Sequence, residues 1–527
     1  MTDHNCSMID PRPRLARVIA SFFLLVCVVI LPGWGCRHWP DPNRAARLDH
    51  STLLIVLDGL RPDYVTAELM PNLHALGQRG VIGRNHHSVF PTVTRVNAAS
   101  MVTGSYPARH GLMGNSVYFP EISADTKFST GNAAHLQRIE AATGGRLLTA
   151  PSLGEILQKE GRKFLAVSSG SSGSAFLLNH KITGAGIINP ELVLPSSLQP
   201  RVTELLGPVP PEASPNTSLN RWAVDAYLRF GLDQVQPQVT LMWLSDPDHT
   251  QHEHGVGAPL TLQAIRLVDA ELGRIIATLA AKGLQDKVNV FVTSDHGFST
   301  HTGKMNLQSL LKAEVDSGNV FIVEGAIYVK EHDAARIRDI VRRLQVTDWV
   351  GAVFTRPTRA GQSEGSIPGT LSFDLVHWMH PRSADILVSA NWTDAPNEHG
   401  YKGASAQKGE SAGHGTSSPF DIHNTLIAAG PDIKTGVVSD VPSGNVDLAP
   451  TLLFLNGIPP TNGMNGRVLS ELLRVGQSPA AVEVETRTYQ TQSRTDDGEY
   501  QLELSMSLVK GTDYLNFTKV KRKSGRD

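Results

Sequence analysis

Three segments of this chain carry side chains able to do metal chemistry, each placed directly after an apolar run. Asp58 follows Leu53-Leu54-Ile55-Val56-Leu57, Asp248-x-x-x-His252 follows Val239 to Leu244, and Asp295-His296 follows Val288 to Thr293. Continuous apolar runs of this length read as buried strands. In an open α/β sheet the carboxyl ends of parallel strands converge on one rim, where ligands bind. Carboxylate and imidazole groups delivered to one rim from distant positions are what a metal cluster needs. The pattern predicts a hydrolytic metalloenzyme.

A hydroxyl stands in a suggestive place as well. Phe90-Pro91-Thr92-Val93-Thr94-Arg95-Val96-Asn97 runs into a helical Ala98–Val102, which puts a threonine at a helix N-terminus. Unpaired backbone N–H groups there favour a phosphate and a deprotonated oxygen. Thr92 and Thr94 are both candidates for the nucleophile.

The elements that must position these groups are legible in outline. Apolar runs at Leu53–Leu57, Phe164–Ser168, Val239–Leu244, Val288–Thr293 and Asp385–Ala390 alternate with helical patterns such as Leu262–Ala281 and Ala334–Leu344. That alternation predicts an α/β fold, a largely parallel sheet with helices on both faces. The catalytic body is expected over residues 51–475, with an inserted lobe over about 299–412. Gly361–Gly369 and Asn397–Gly415 are Gly/Ser-rich and read as mobile loops. Residues 476–527 read as a β-rich extension: Val482, Val484, Leu502, Leu504, Met506 and Leu508 alternate with polar residues, with turns at Asp496-Asp497-Gly498 and Gly511, which predicts three antiparallel strands.

Composition narrows the function classes. With 40% hydrophobic and 19% charged residues the chain can bury a sizeable core, and its net charge of −2 provides no basic footprint for a nucleic-acid polymer. All three cysteines, Cys6, Cys27 and Cys36, precede the predicted linker at 37–50, so the body has neither a disulfide framework nor a thiolate metal site. Arg12, Arg14 and Arg17 precede an apolar run from Val18 to Leu31, the order of a secretory signal and short for a membrane span. Gly33-Trp34-Gly35-Cys36 resembles a bacterial lipoprotein processing site, with Gly33 where Leu is usual. Residues 1–36 are therefore expected to export the chain to the periplasm or cell envelope; lipidation of Cys36, simple cleavage and an uncleaved anchor stay open.

The segments together resemble the alkaline phosphatase superfamily, and within it the type I phosphodiesterase/nucleotide pyrophosphatase family. The resemblance rests on Val56-Leu57-Asp58-Gly59, Thr92-Val93-Thr94-x-x-Asn97, Thr103-Gly104-x-Tyr106-Pro107-x-x-His110-Gly111 with Gly114-Asn115, Asp248-x-x-x-His252 and Ser294-Asp295-His296-Gly297. Gly413-His414-Gly415, the stretch Pro442 to Thr451 and Gly466-Arg467-Val468-Leu469 complete it in the family's order. It implies two zinc ions, one bound by Asp248, His252 and His414, the other by Asp58, Asp295 and His296 with Thr94 as hydroxyl ligand. It implies further that Thr94 is the nucleophile of a covalent phospho-threonine mechanism and that Asn115 hydrogen-bonds a phosphoryl oxygen. Manganese or iron suits the same ligand types. The implied substrate is a small-molecule phosphate ester; oligomeric state has no signal. Asp246 is expected to support the ligands from behind, His249 to be packed or solvated, His110 to be scaffolding, and His254, His301 and His423 to be surface or structural.

Two departures bear on substrate. Arg95 stands where nucleotide-cleaving members place an aromatic, and a guanidinium more naturally meets extra negative charge. Val167-Ser168-Ser169-Gly170-Ser171-Ser172 lacks the Lys-x-Arg of threonine-dependent phosphomonoesterases, and no Cys/Ser-x-Pro-x-Arg sulfatase motif is present. Diester or pyrophosphate hydrolysis leads, with a phosphomonoesterase or phosphonate hydrolase as the alternative and an inactive, surface-anchored binding protein as the reading outside enzymes.

Overall fold

The computed structural model describes residues 50–496 and 498–524, which fall in one compact unit. Residues 1–36, expected to be a secretory or lipoprotein signal, with all three cysteines, almost all of the expected 37–50 linker and Asp497 of the predicted turn lie outside the described residues. No helix among the described residues is long and apolar enough to cross a membrane.

Nine strands form the main path of the central sheet: β1 (Ser51–Leu57), β2 (Val81–His87), β3 (Phe164–Ser168), β4 (Gly186–Asn189), β5 (Leu192–Leu194), β6 (Val239–Leu244), β7 (Val288–Thr293), β8 (His423–Ala429) and β9 (Val437–Ser439). Their order is β9-β2-β8-β7-β1-β6-β3-β4-β5. The β1–β7, β1–β6, β3–β6 and β3–β4 pairs are parallel, and β8 runs antiparallel to both β7 and β2. The largely parallel α/β sheet expected from the sequence is the one observed.

Why the runs are apolar throughout follows from the layers. Leu54 and Val56 of β1 face one core, shared with Ala98, Met101 and Val102 of helix α1 (Thr94–Thr103). Leu53, Ile55 and Leu57 face the other. Strands covered on both faces lose the polar half of the usual alternation. Helix α2 (Asp248–His254) follows β6 closely, and α3 (Pro259–Ala281) starts on Pro259, whose fixed φ suits a first helical position. Ile265, Val268, Leu272 and Ile275 of α3 pack into the second core.

One predicted strand belongs elsewhere. The run Asp385–Ala390, read with the parallel series, is a strand over Ile386–Ala390 in a separate five-stranded sheet, antiparallel to Ala326–Val329 and Val350–Thr355. An apolar run declares burial but not its sheet. Asp385 fixes the choice, accepting from Val329 N at 2.7 Å and pairing with His332 Nδ1 at 2.6 Å. Helix α4 (Ala334–Gln345), capped by Asp333, covers this lobe through Ile340, Val341 and Leu344.

The Asn397–Gly415 stretch is also more ordered than its composition implies. Lys402–Ser405 and Ala412–Gly413 join a four-stranded sheet with Ser299–His301 and Trp392–Pro396. Backbone pairing supplies there what a side-chain core does not. At the C-terminus Glu485–Thr495, Gly498–Val509 and Thr512–Ser524 form the three antiparallel strands. Their first strand starts beyond Val482 and Val484, which were read as its opening.

Candidate active site

Register brings the functional groups together. Leu57 lies beside Leu244 and Val56 beside Thr293, so β1, β6 and β7 end level on one rim. Asp58, Asp248 and Asp295 follow those ends, and Asp248 N donates to Asp58 O at 2.9 Å. Because β8 is antiparallel to β7, its first residue, His423, lies at the same rim, and the loop entering it carries His414. Thr94 opens α1, whose N-cap Val93 makes no side-chain capping bond.

The groups converge around imidazole nitrogens. His296 Nε2 lies 3.0 Å from Asp295 Oδ2, 3.6 Å from Asp58 Oδ1 and 3.3 Å from Thr94 Oγ1. Asp248 Oδ2 lies 3.3 Å from His252 Nε2 and 3.4 Å from His414 Nε2, and the two imidazole nitrogens are 3.2 Å apart. His296 and His414 stack with ring centroids 3.4 Å apart, joining the two groups. By ligand-atom spacing Asp248, His252 and His414 form one candidate metal set, and Asp58, Asp248 and His296 a second that shares Asp248. All six expected ligands and Thr94 thus share one neighbourhood.

Three carboxylate oxygens there, Asp58 Oδ1, Asp248 Oδ2 and Asp295 Oδ2, are buried without a hydrogen-bond partner. Orphaned buried acceptors carry a desolvation penalty, and cations are what such oxygens accept. Burial, then the charges of Asp295 and Asp248, push the Asp58 carboxyl well above its usual range, against a hydrogen bond from Trp243. Burial also works to raise Asp248, but the His252 charge and the adjacent His252 and His414 imidazoles hold it well below the usual range. Burial opposes the charge on His252, yet Asp248 and Glu410 lift it to about 10. Burial and the neighbouring His296 drive His414 down to about 4. Imidazolium charge thus offsets the carboxylates in the bare protein; divalent cations would do so while leaving the imidazoles neutral and able to ligate. The donor set fits such ions.

Supporting contacts that sequence reasoning missed surround the ligands. Trp243 Nε1 donates to Asp58 Oδ2 at 2.8 Å, although Trp243 read only as strand core. Glu410 Oε2 lies 2.5 Å from His252 Nδ1, a carboxylate backing a candidate ligand imidazole. His414 Nδ1 meets Thr92 O at 2.8 Å, and the Thr92 hydroxyl donates to Thr416 O and accepts from Gly415 N. Both faces of that hydroxyl are therefore committed to the His414 loop, whereas the Thr94 hydroxyl faces His296. Asp421 braces the same loop, accepting from Thr416 N at 3.0 Å and Thr416 Oγ1 at 2.6 Å.

Beside the nucleophile, Asn115 Oδ1 accepts from Arg95 N at 3.1 Å. Arg95 Nη2 reaches Ser171 Oγ at 3.3 Å and its Nε is buried without a partner. Asp246 accepts from Asn216 N, Asn220 Nδ2 and Thr250 Oγ1, bracing the turn into α2, which carries Asp248 and His252. His110 is fully buried against Ser100 Oγ and Leu112 N, and His423 packs against His87 with the rings tilted at 56°. His249 lies 3.5 Å from Glu212 at the rim of the site, and His254 3.6 Å from Glu253. His301 bonds Glu410 O through Nδ1 and lines the site, closer to it than a surface histidine would be.

Two chambers meet at Thr94, Arg95, Asp248 and His252. One, of about 600 Å³, runs toward the five-stranded sheet past Asn115 and Glu324. The other, of about 690 Å³, runs past Ser169, Ser171 and Glu212.

A rim of parallel strand ends delivering aspartate and histidine to a threonine at a helix N-terminus defines an alkaline-phosphatase-like α/β protein. The profile of the family described as type I phosphodiesterase / nucleotide pyrophosphatase matches residues 52–415, and the chain belongs to that family. It is 24% identical over 438 residues to human ectonucleotide pyrophosphatase/phosphodiesterase family member 1, covering 80% of this chain and 42% of that protein. Against Bis(5'-adenosyl)-triphosphatase enpp4 of Xenopus laevis it is 26% identical over 466 residues, covering 84% of each. The solved structure of murine ectonucleotide pyrophosphatase/phosphodiesterase 5 matches with a TM-score of 0.57 at 19% identity, covering 80% of this chain and all of that one. This chain therefore spans less than half of the human relative it matches and most of the Xenopus one.

Proposed function

We propose that this protein is a metal-dependent phosphoric ester hydrolase that cleaves phosphate diesters or pyrophosphates through a covalent phospho-threonine at Thr94. The observation that carries the reading is the convergence of six carboxylate and imidazole ligands beside Thr94 Oγ1, with three buried carboxylate oxygens left unpartnered. Asp248, His252 and His414 would hold one ion, and Asp58, Asp295 and His296 the other, zinc by ligand type with manganese or iron compatible. When bound, such ions supply Lewis-acid charge for the attacking and leaving oxygens of an in-line displacement.

Thr94 Oγ1 forms a bond to phosphorus as the ester P–O bond breaks, and the departing alcohol gains a proton as the hydroxyl loses one. Water then attacks the phospho-threonine, the P–Oγ1 bond breaks, and the phosphate monoester leaves with the hydroxyl restored. Asn115 is held by Arg95 N through Oδ1, which leaves the Nδ2 hydrogens for a phosphoryl oxygen, and the open N-terminus of α1 adds further positive potential. Trp243, Glu410 and the Thr92 hydroxyl keep the ligand side chains in place. The name bis(5'-adenosyl)-triphosphatase of the Xenopus relative agrees with this class of reaction.

Arg95 favours a second reading, a phosphomonoesterase or phosphonate hydrolase, because its guanidinium at the site suits a doubly charged substrate. Turnover of bis-p-nitrophenyl phosphate, p-nitrophenyl phosphate and nucleotide p-nitrophenyl esters separates the two. We expect higher kcat/KM on the diesters; faster monoester turnover would overturn that choice. The N-terminal segment supports, as a proposal of the same kind, export to the cell envelope, which a cell-fractionation experiment tests.

A further inference from the structure

The five-stranded sheet presents an acidic side chain to the site. Its hairpin, Val320–Val323 paired with Ala326–Val329, turns through Glu324 and Gly325. Glu324 lines the lobe-side chamber together with Thr94, Arg95 and Asn115. Glu324 Oε2 accepts from Asn115 N at 3.2 Å, and Asn115 Oδ1 in turn accepts from Arg95 N at 3.1 Å. The carboxylate thus touches the backbone of the residue that the proposed chemistry assigns to a phosphoryl oxygen.

The backbone at Glu324 is unusual. It takes φ 55, in the left-handed region, at the first position of a two-residue hairpin turn. Glycine is favoured there, yet the glycine of this turn stands one residue later. Non-glycine residues persist in such conformations where their surroundings over-determine them, and these places cluster at functional sites. The side chain remains exposed to the chamber. Crowding by the protein around its carboxyl raises its pKa, opposed by hydrogen bonds from Ser116 and Asn115 and by the charge of Arg95.

Resting on the phosphoryl-transfer reading above, we propose that Glu324 is a specificity residue that selects singly charged phosphate esters over doubly charged ones. A diester carries one ionised oxygen, which Asn115 and Arg95 can meet. A monoester carries a second, and in this chamber it faces a carboxylate; like charges in one site disfavour each other. Arg95 draws phosphate in, and Glu324 penalises the additional charge. The two departures in the sequence then cease to conflict: a cation at Arg95 serves a diester once its neighbour rejects the dianion.

The test measures kcat/KM of wild type, Glu324→Gln and Glu324→Gly on bis-p-nitrophenyl phosphate and p-nitrophenyl phosphate. The monoester-to-diester ratio should rise about tenfold in both variants, the effect of one unit charge on one extra substrate charge across a solvated chamber. Glu324→Gly should also raise the Tm, because glycine relieves the left-handed backbone, so a shifted ratio in that variant cannot come from unfolding. A ratio unchanged in both variants overturns the inference, since a merely structural role would lower both activities together. Wild type that hydrolyses neither ester would instead defeat the phosphodiesterase reading, and this inference with it.

Discussion

The two halves of the ligand cluster are held by different means. Asp295 and His296 follow the end of a central strand, and both side chains are fully buried. Asp248 and His252 stand on a short helix with side chains 15% and 25% exposed, and His414 stands on a loop. Sheet register fixes the buried half, whereas hydrogen bonds accepted by Thr92 O, Asp421 and Glu410 fix the open one. On the proposed two-ion reading, a rigid half and a braced half would hold their cations unequally, the open one more dependent on side chains outside the cluster.

That comparison breaks most readily at Glu410. Titrating the metal-loaded protein with a chelator should remove metal in two steps. Glu410→Gln should weaken the more labile step by roughly 10- to 100-fold, the usual cost of losing a carboxylate behind a ligand imidazole, and leave the tighter one in place. Loss of both ions together, read by metal analysis, would show that the halves are not independent.

A smaller effect separates the ligand histidines from the buried histidines of the scaffold. Burial drives His86, His110 and His423 each down to about 3 from an ordinary value of 6.5. The unfolded chain therefore binds more protons, so the stability held by keeping them neutral is complete above pH 6.5 and is lost as pH falls toward 3. Calorimetry should show the Tm falling from that upper pH to about pH 4 in metal-free protein as well as loaded protein. A flat Tm in the metal-free protein would contradict this and assign any acid sensitivity of the loaded protein to release of metal.

Legibility in the sequence follows the same division. Asp58, Asp248 and Asp295 were visible because each ends an apolar run that becomes a strand with both faces covered, and parallel register does the rest. His414 needed the family pattern, since nothing in a Gly/Ser-rich stretch announces that β8 starts at the same rim. Glu410 and Glu324 had no signal: one is an acid in a presumed loop, the other an acid in a turn, and only tertiary packing gives either a partner. Ile386–Ala390 was read correctly as a strand and placed in the wrong sheet, because periodicity reports burial and not neighbours.

The central claim is that Thr94, and not the metal cluster alone, forms a bond to phosphorus. Thr94→Ala, assayed on bis-p-nitrophenyl phosphate alongside its metal content, tests it directly. The account predicts that both ions stay bound while turnover falls by about 10³-fold or more, as for loss of a nucleophile. Turnover close to wild type with the metals retained would contradict it.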